Sequence, residues 1–253
     1  MPYARRYVRQ PSPYLSIGTP EALHLIWEHT EWMSECCGRP GYQTVFSDQF
    51  ARRVARSYRK RGLDQTERRL VSFLTDRGIS NASVLEIGGG VGEIQIELLT
   101  RGASKATNLE ISRNYEAEAA ALLQVSGLTD RIERRFVDIA ASPDEVEPAD
   151  VVVLHRVVCC YPDYERLMSA AASHAKRLLV FSYPTRSLFT RMIVRFENLL
   201  HRLRRSDFRA FVHPPVAMIT TAQAAGLLLA YRHHGLAWNI AGLERATPDL
   251  SAP

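Results

Sequence analysis

The stretch Val84-Leu85-Glu86-Ile87-Gly88-Gly89-Gly90-Val91-Gly92 decides the fold. Residues 83–87 are a short apolar run with one acid, closed by glycines, which reads as a buried strand. Glycines at 88, 89, 90 and 92 permit positive φ and let a ligand approach the backbone closely. Residues 93–101 then take up helical spacing. Strand, glycine turn and helix form the first unit of a sheet that binds nucleotide-like ligands at the carboxyl ends of its strands. A dinucleotide site asks for Gly-x-Gly-x-x-Gly. Here Glu93 stands where the third glycine belongs, and a carboxylate there repels a pyrophosphate. The pattern is instead acidic-x-Gly-x-Gly-x-Gly, on Glu86, Gly88, Gly90 and Gly92.

Downstream, strand and helix alternate. Strands are expected at 83–87, 106–110, 132–137, 150–154 and 177–182, with helices at 93–101, 114–126, 163–174, 186–205 and 215–225. Alternating β and α with apolar strands means a parallel sheet covered on both faces. Two last strands, 227–233 and 236–243, are joined through His234-Gly235, too tight for a parallel crossover, so they form an antiparallel hairpin at the sheet edge. The expectation is a Rossmann-like, seven-stranded, mostly parallel α/β sheet with a C-terminal antiparallel hairpin.

Upstream, residues 1–20 carry Pro2, Pro11, Pro13 and Pro20 and read as an arm. A helix over 21–35 is expected to stop at Cys36-Cys37-Gly38-Arg39-Pro40-Gly41. Ser47 caps a second helix that Gly62 ends, and Asp64 caps a third over 65–77. The chain thus divides into an N-terminal arm and helical cap, 1–62, and the sheet domain, 63–253.

The 253 residues include 46% hydrophobic and 23% charged, ordinary values that exclude wholesale disorder. No apolar run approaches the roughly 20 residues of a membrane span. The net charge is +5, with 29 Arg to 3 Lys, a bias spread over plain helix faces rather than gathered into a nucleic-acid stripe. The first residues carry Arg5 and Arg6 but no apolar stretch after them, so a cytoplasmic protein with reduced thiols is expected. The cysteines fall in two adjacent pairs, Cys36-Cys37 and Cys159-Cys160, a poor spacing for disulfide or zinc. They read as small apolar filler, and no metal site is expected.

From Arg59 to Arg245 the chain resembles the class I S-adenosylmethionine-dependent methyltransferases. The resemblance rests on four matches in order: the Glu86–Gly92 turn, Glu110 at the end of the second strand, Asp138 after the third, and the stretch from Asp150 through Tyr161-Pro162-Asp163. It implies S-adenosylmethionine as cofactor, packed against Gly88, Gly89, Gly90 and Gly92. Glu86 would orient the turn and the cofactor's amino group, Glu110 take the ribose hydroxyls and Asp138 the adenine amino group. Ile111, Ile139 and His155 would line the same pocket.

Methyl transfer is an in-line displacement, so the protein mainly aligns two reactants. A base is needed only where the nucleophile is protonated. His155 leads the catalytic candidates because it follows the fourth strand and has a suitable unperturbed pKa. Tyr161 and His213 are the others, with Arg156, Tyr183 and Tyr58 as candidates for the acceptor pocket. The leading reading is O- or C-methylation of a small molecule by a monomer or homodimer, with no nucleic-acid partner: no Asn/Asp-Pro-Pro-Tyr motif follows the fourth strand. Two alternatives stand beside it. One is a non-catalytic scaffold that keeps the fold. The other is O-methylation of a lipophilic, porphyrin-like acid, because the 186–205 helix and the Tyr183-Pro184 turn resemble the magnesium-protoporphyrin O-methyltransferases. That helix has one apolar face, Leu188, Phe189, Met192, Ile193, Phe196, Leu199, Leu200 and Leu203, with arginines around it. It is expected to pack on the sheet and partly cap the acceptor pocket, with contact to a membrane surface as the lesser reading.

Overall fold

The computed structural model describes residues 40–246. Cys37–Pro253 form one compact unit, which therefore holds the helices up to residue 61 as well as the sheet. The expected helix over 21–35 and the pair Cys36-Cys37 lie outside the described residues.

Seven strands form one sheet: β1 (Ser83–Ile87), β2 (Lys105–Leu109), β3 (Ile132–Arg135), β4 (Ala149–Leu154), β5 (Ala175–Pro184), β6 (Leu227–His233) and β7 (Trp238–Arg245). Their order is β3-β2-β1-β4-β5-β7-β6. The first five are parallel, and β7 inserts antiparallel between β5 and β6. The expected architecture is therefore present, with shifted boundaries. β3 stops two residues early, β5 runs on to Pro184, and the last turn is a four-residue loop, His234 to Ala237, rather than a two-residue one.

The helices are α1 (Pro40–Val45), α2 (Asp48–Arg61), α3 (Gln65–Thr75), α4 (Glu93–Thr100), α5 (Glu116–Ser126), α6 (Tyr164–His174), α7 (Leu188–Leu203) and α8 (Pro215–Ala224). Their ends follow local chemistry. The Ser47 hydroxyl accepts from Phe50 N–H, and Asp64 with Glu67 forms a reciprocal capping box at the start of α3. α1 corrects the sequence reading, which took Pro40-Gly41 as a stop. Proline suits a first helical turn because its missing N–H has no partner there anyway. Gly41 is needed for contact instead: a Cβ would sit 2.6 Å from the backbone nitrogen of Phe208.

Both sheet faces are covered. Val84, Val151, Val153, Leu178, Val180 and Ile240 share one core with Leu70, Phe73 and Leu74 of α3 and Ile94 of α4. The alternating Leu85, Val152, Leu154, Leu179 and Phe181 are buried too, on the side where α6 and α8 pack. Each such side chain contributes roughly 1.5–3 kcal/mol by leaving water. The core thus holds the carboxyl ends of β1, β2 and β4 side by side, and the site is built there.

α7 departs from expectation. None of its residues is buried, and its apolar stripe faces outward. It does not pack that stripe on the sheet.

Candidate active site

β1 ends at Ile87 and the chain turns at Gly88, whose φ of 65° lies in the left-handed region. Gly88 N–H donates to the Leu109 carbonyl at 2.7 Å, which ties the turn to β2. At Gly89 a Cβ would lie 2.3 Å from Asn108 Nδ2 and 2.8 Å from the Glu86 carboxyl carbon. The turn thus closes over a buried acid with no room for a side chain.

A cavity opens on this turn. Its floor is Glu86, Gly88 to Gly90, Glu93 and Ile94. Glu110, Ile111 and Tyr115 close one side, and His155, Arg156, Val157, Cys160 and Tyr161, from the segment after β4, close another. Glu67 reaches in from α3, and Tyr42, Phe46, Phe50 and Val54 form an apolar roof. The roof rings support one another: Phe46 lies 6.0 Å from Phe50 edge-on, and the buried Phe208 sits 5.1 Å from Tyr42.

Four carboxylates line this cavity. Glu110 accepts from the N–H groups of Gly90, Ile111 and Ser112 at 2.9, 2.8 and 3.0 Å. Burial still pushes its carboxyl up, against the pull of those three donors. Glu86 is buried and its Oε2 has no partner. Burial and the neighbouring Glu93 push it well above the usual carboxylate range. Glu93 keeps part of its surface open, but its Oε2 is sealed from solvent without a partner. Burial, with Glu67 nearby, raises Glu93 to about 7. Glu67 is raised as well, mainly by burial. Orphaned buried carboxylate oxygens around a glycine cradle suit a ligand that carries positive charge.

His155 stands between Ser182 and Glu67. Arg156 N–H donates to Ser182 Oγ at 2.9 Å, and that hydroxyl lies 3.1 Å from His155 Nδ1. On its other side the ring faces the Glu67 carboxyl through Nε2, which favours the ring proton on Nε2 and leaves Nδ1 to accept from the Ser182 hydroxyl. Nε2 lies 3.6 Å from Glu67 Oε1, is sealed from solvent and has no hydrogen-bond partner. Burial, then the charge of Arg156, depress His155 to about 3. The ring is thus held neutral, with Nδ1 bonded to Ser182. Arg156 itself has φ 58°, a strained conformation for a residue with a side chain. Its guanidinium pairs with Asp64 at 2.6 Å and lies 5.2 Å from the Trp238 ring centre. Asp64, Glu67 and His155 bring three ligand atoms within 4.8 Å of one another. A metal ion there would have to displace Arg156 from Asp64 and compete with the capping box.

Glu86, Gly88, Gly89, Gly90, Glu110, Ile111, His155, Arg156 and Tyr161 thus line one cavity. Others stand back from its lining. Gly92 caps α4 instead. Ile139 is buried, and Asp138 accepts from the Tyr161 hydroxyl at 2.9 Å. Tyr58 donates to Glu97 at 3.2 Å, away from the cavity. Tyr183 is buried beside Phe181. His213 donates from Nε2 to the Tyr161 carbonyl at 2.9 Å and stacks on Phe211, so it anchors a loop. Burial there lowers its pKa. The residues that sequence reasoning missed are Glu67, Glu93, Tyr115 and the roof aromatics. The capping box pattern at Asp64–Glu67 was visible, but not that its glutamate would face a cavity.

The family model described as "Methyltransferase domain" matches residues 50–230, most of the chain. The chain belongs to the methyltransferase domain family. No curated protein matches it. Among solved structures, this methyltransferase is similar to magnesium protoporphyrin IX methyltransferase from Synechocystis PCC 6803 with bound S-adenosylhomocysteine, at 22% identity over 72% of this chain and 83% of that one, with a TM-score of 0.59. An O-methyltransferase family protein from Burkholderia thailandensis matches at 17% identity over 93% of this chain and 76% of that one, TM-score 0.58. An O-methyltransferase family 2 protein from Planctomyces limnophilus, in complex with apigenin, matches at 18% identity over 74% and 63%, TM-score 0.51. These likenesses are of fold.

The cofactor of the methyltransferase is S-adenosylmethionine, and the cavity fits it. Glu86 and Glu93, each with a buried oxygen that has no partner, would hold its positively charged groups. Glu110 keeps one unused lone pair, on Oε2, for a hydroxyl donor beside the glycine turn.

Proposed function

We propose that this methyltransferase methylates a small-molecule acceptor, with transfer to oxygen or carbon favoured. One observation carries the reading. A single cavity joins the glycine turn and its acids to a wall of Tyr42, Phe46 and Phe50, with Glu67, His155 and Arg156 between them. Bound S-adenosylmethionine supplies an activated methyl group. The chain's own residues do the rest. The aromatic roof excludes water and receives an apolar acceptor. His155, held by Ser182, keeps its ring fixed in the cavity lining beside Glu67. Where the nucleophile carries a proton, Glu93, raised to about 7, is the group suited to take it, with Glu67, also raised by burial, beside it. Tyr161, whose hydroxyl is donated to Asp138, orients that acid rather than acting as a base.

A second reading, O-methylation of a lipophilic acid, is supported by Arg156, a cation in the lining beneath an aromatic roof. A carboxylate acceptor needs no base, in keeping with a neutral His155. The Synechocystis relative is named for a substrate of that kind. The test is transfer of labelled methyl from S-adenosylmethionine to a panel of phenols, flat polycyclic acids and aliphatic amines. Transfer to phenols or acids supports small-molecule O-methylation. Cofactor binding with no transfer to any acceptor would leave the scaffold reading.

A further inference from the structure

α7 is amphipathic with its faces reversed. Its half-buried residues are Thr190, Val194, Asn198, Leu200 and His201; all but Leu200 are spaced 4, 4 and 3 and put a mainly polar side toward the protein. That side is firmly held. Asn198 exchanges two 2.8 Å hydrogen bonds with Ala210, Thr190 meets Thr185 at 2.9 Å, and the His201 ring lies 5.0 Å from Phe208. The apolar stripe points out: Leu188 is 79% exposed, Phe189 68%, Met192 64%, Phe196 60% and Leu203 71%. Soluble proteins seldom leave such a run of large apolar side chains in water. The patch extends to Leu236, fully exposed on the loop before β7, which Thr185 ties to the start of α7.

The charge around the stripe says what covers it. At ~100° per residue, Arg191, Arg195 and Arg202 fall together along one edge. Arg186 precedes the helix, and Arg204 and Arg205 follow it. All six are exposed, and none pairs with a carboxylate among the described residues. Glu197 is the lone acid in the helix. A second copy packed face to face would bring arginine edges together, and like charges oppose that. An anionic surface with an apolar interior satisfies both parts of the helix at once.

We propose that α7 is a membrane-surface element that seats its apolar stripe at the headgroup–acyl boundary of an anionic phospholipid bilayer while its arginines pair with the headgroups. The attachment is peripheral, since no helix among the described residues is long and apolar enough to cross a membrane. Its position matters to the site. Residues 206–213 lead from α7 back to the cavity, where Phe208 packs on Tyr42 and Phe46, and Phe211 N–H bonds the Cys159 carbonyl. A bilayer under α7 therefore lies beside the aromatic roof. The proposal rests on α7 and stands independently of methyl transfer.

The test is sedimentation of the full chain with phosphatidylcholine vesicles, with and without phosphatidylglycerol. The expected result is binding to the anionic vesicles that weakens at high salt. Binding should fall about tenfold or more in Phe189→Asp/Phe196→Asp, and again in Arg191→Glu/Arg195→Glu/Arg202→Glu. All these side chains are exposed, and unchanged S-adenosylmethionine affinity in the variants checks that the fold survives. Three results would overturn the proposal. They are wild-type protein that stays in solution, vesicle binding that ignores both variants, and a dimer in light scattering that both variants dissolve.

Discussion

The Ser182 hydroxyl lies 3.1 Å from His155 Nδ1, and this contact sets the chemistry of the imidazole. It engages Nδ1 and leaves Nε2 facing Glu67, while burial keeps the ring neutral at any working pH. A kcat profile for the methyltransferase should therefore lack a limb near pH 6.5. Ser182→Ala frees Nδ1 and should shift the ring tautomer, read by nitrogen NMR of His155. For stability, the folded pKa of about 3 lies below the unfolded value near 6.5. This contribution is present above pH 6.5 and is lost as pH falls through that range toward 3.

Glu93 carries the opposite sign. Its folded value of about 7 exceeds the usual carboxylate value, so the cofactor-free fold binds a proton that the unfolded chain has lost. Stability from this source is full below about pH 4.5 and fades as pH rises through 7, by about 3 kcal/mol in all. A cation in the cavity prefers ionised Glu93, so S-adenosylmethionine should bind more tightly at pH 8 than at pH 6. Glu67, Asp64, Glu86 and Arg156 face the same carboxyl and shape the slope. Glu93→Gln should flatten the dependence in calorimetric titration. S-adenosylhomocysteine, without the sulfonium charge, should show less of it.

Gly89→Ala tests the cradle. The added methyl meets Asn108 and Glu86 well inside contact distance. Cofactor affinity should fall at least tenfold, roughly 1.4 kcal/mol, with a fall of several degrees in Tm by calorimetry.

Tyr161→Phe removes the donor to Asp138. Loss of that bond should cost about 1 kcal/mol and weaken cofactor binding modestly. Turnover should survive in a steady-state assay, since the phenol positions an acid. Loss of turnover with intact binding would make Tyr161 the base.

How much of this was legible in the sequence depended on range. The β1 turn was readable because strand, glycines and helix follow one another within a few residues, and Glu110 and Ile111 follow from the next strand's end. Tyr58, Tyr183 and His213 sit at reasonable sequence positions, but burial and long-range bonds to Glu97, Phe181 and the Tyr161 carbonyl turn them away from the cavity. The roof was hidden because Tyr42 belongs to, and Phe46 directly follows, a six-residue helix that begins at Pro40-Gly41, a pair that reads as a stop. The raised pKa values of Glu67 and Glu93 arise only when α3 and α4 come together. In α7, periodicity showed which residues share a face. It could not show that Asn198 and Thr190 would hold the polar face inward.

The most direct measurement is calorimetric titration of the full chain with S-adenosylmethionine and S-adenosylhomocysteine, beside Glu110→Lys and Gly89→Ala with their Tm values as fold controls. The account predicts micromolar binding of both ligands to the wild type, none to Glu110→Lys and weakened binding to Gly89→Ala. Failure of the wild type to bind either ligand, or undiminished binding by folded Glu110→Lys, would contradict it.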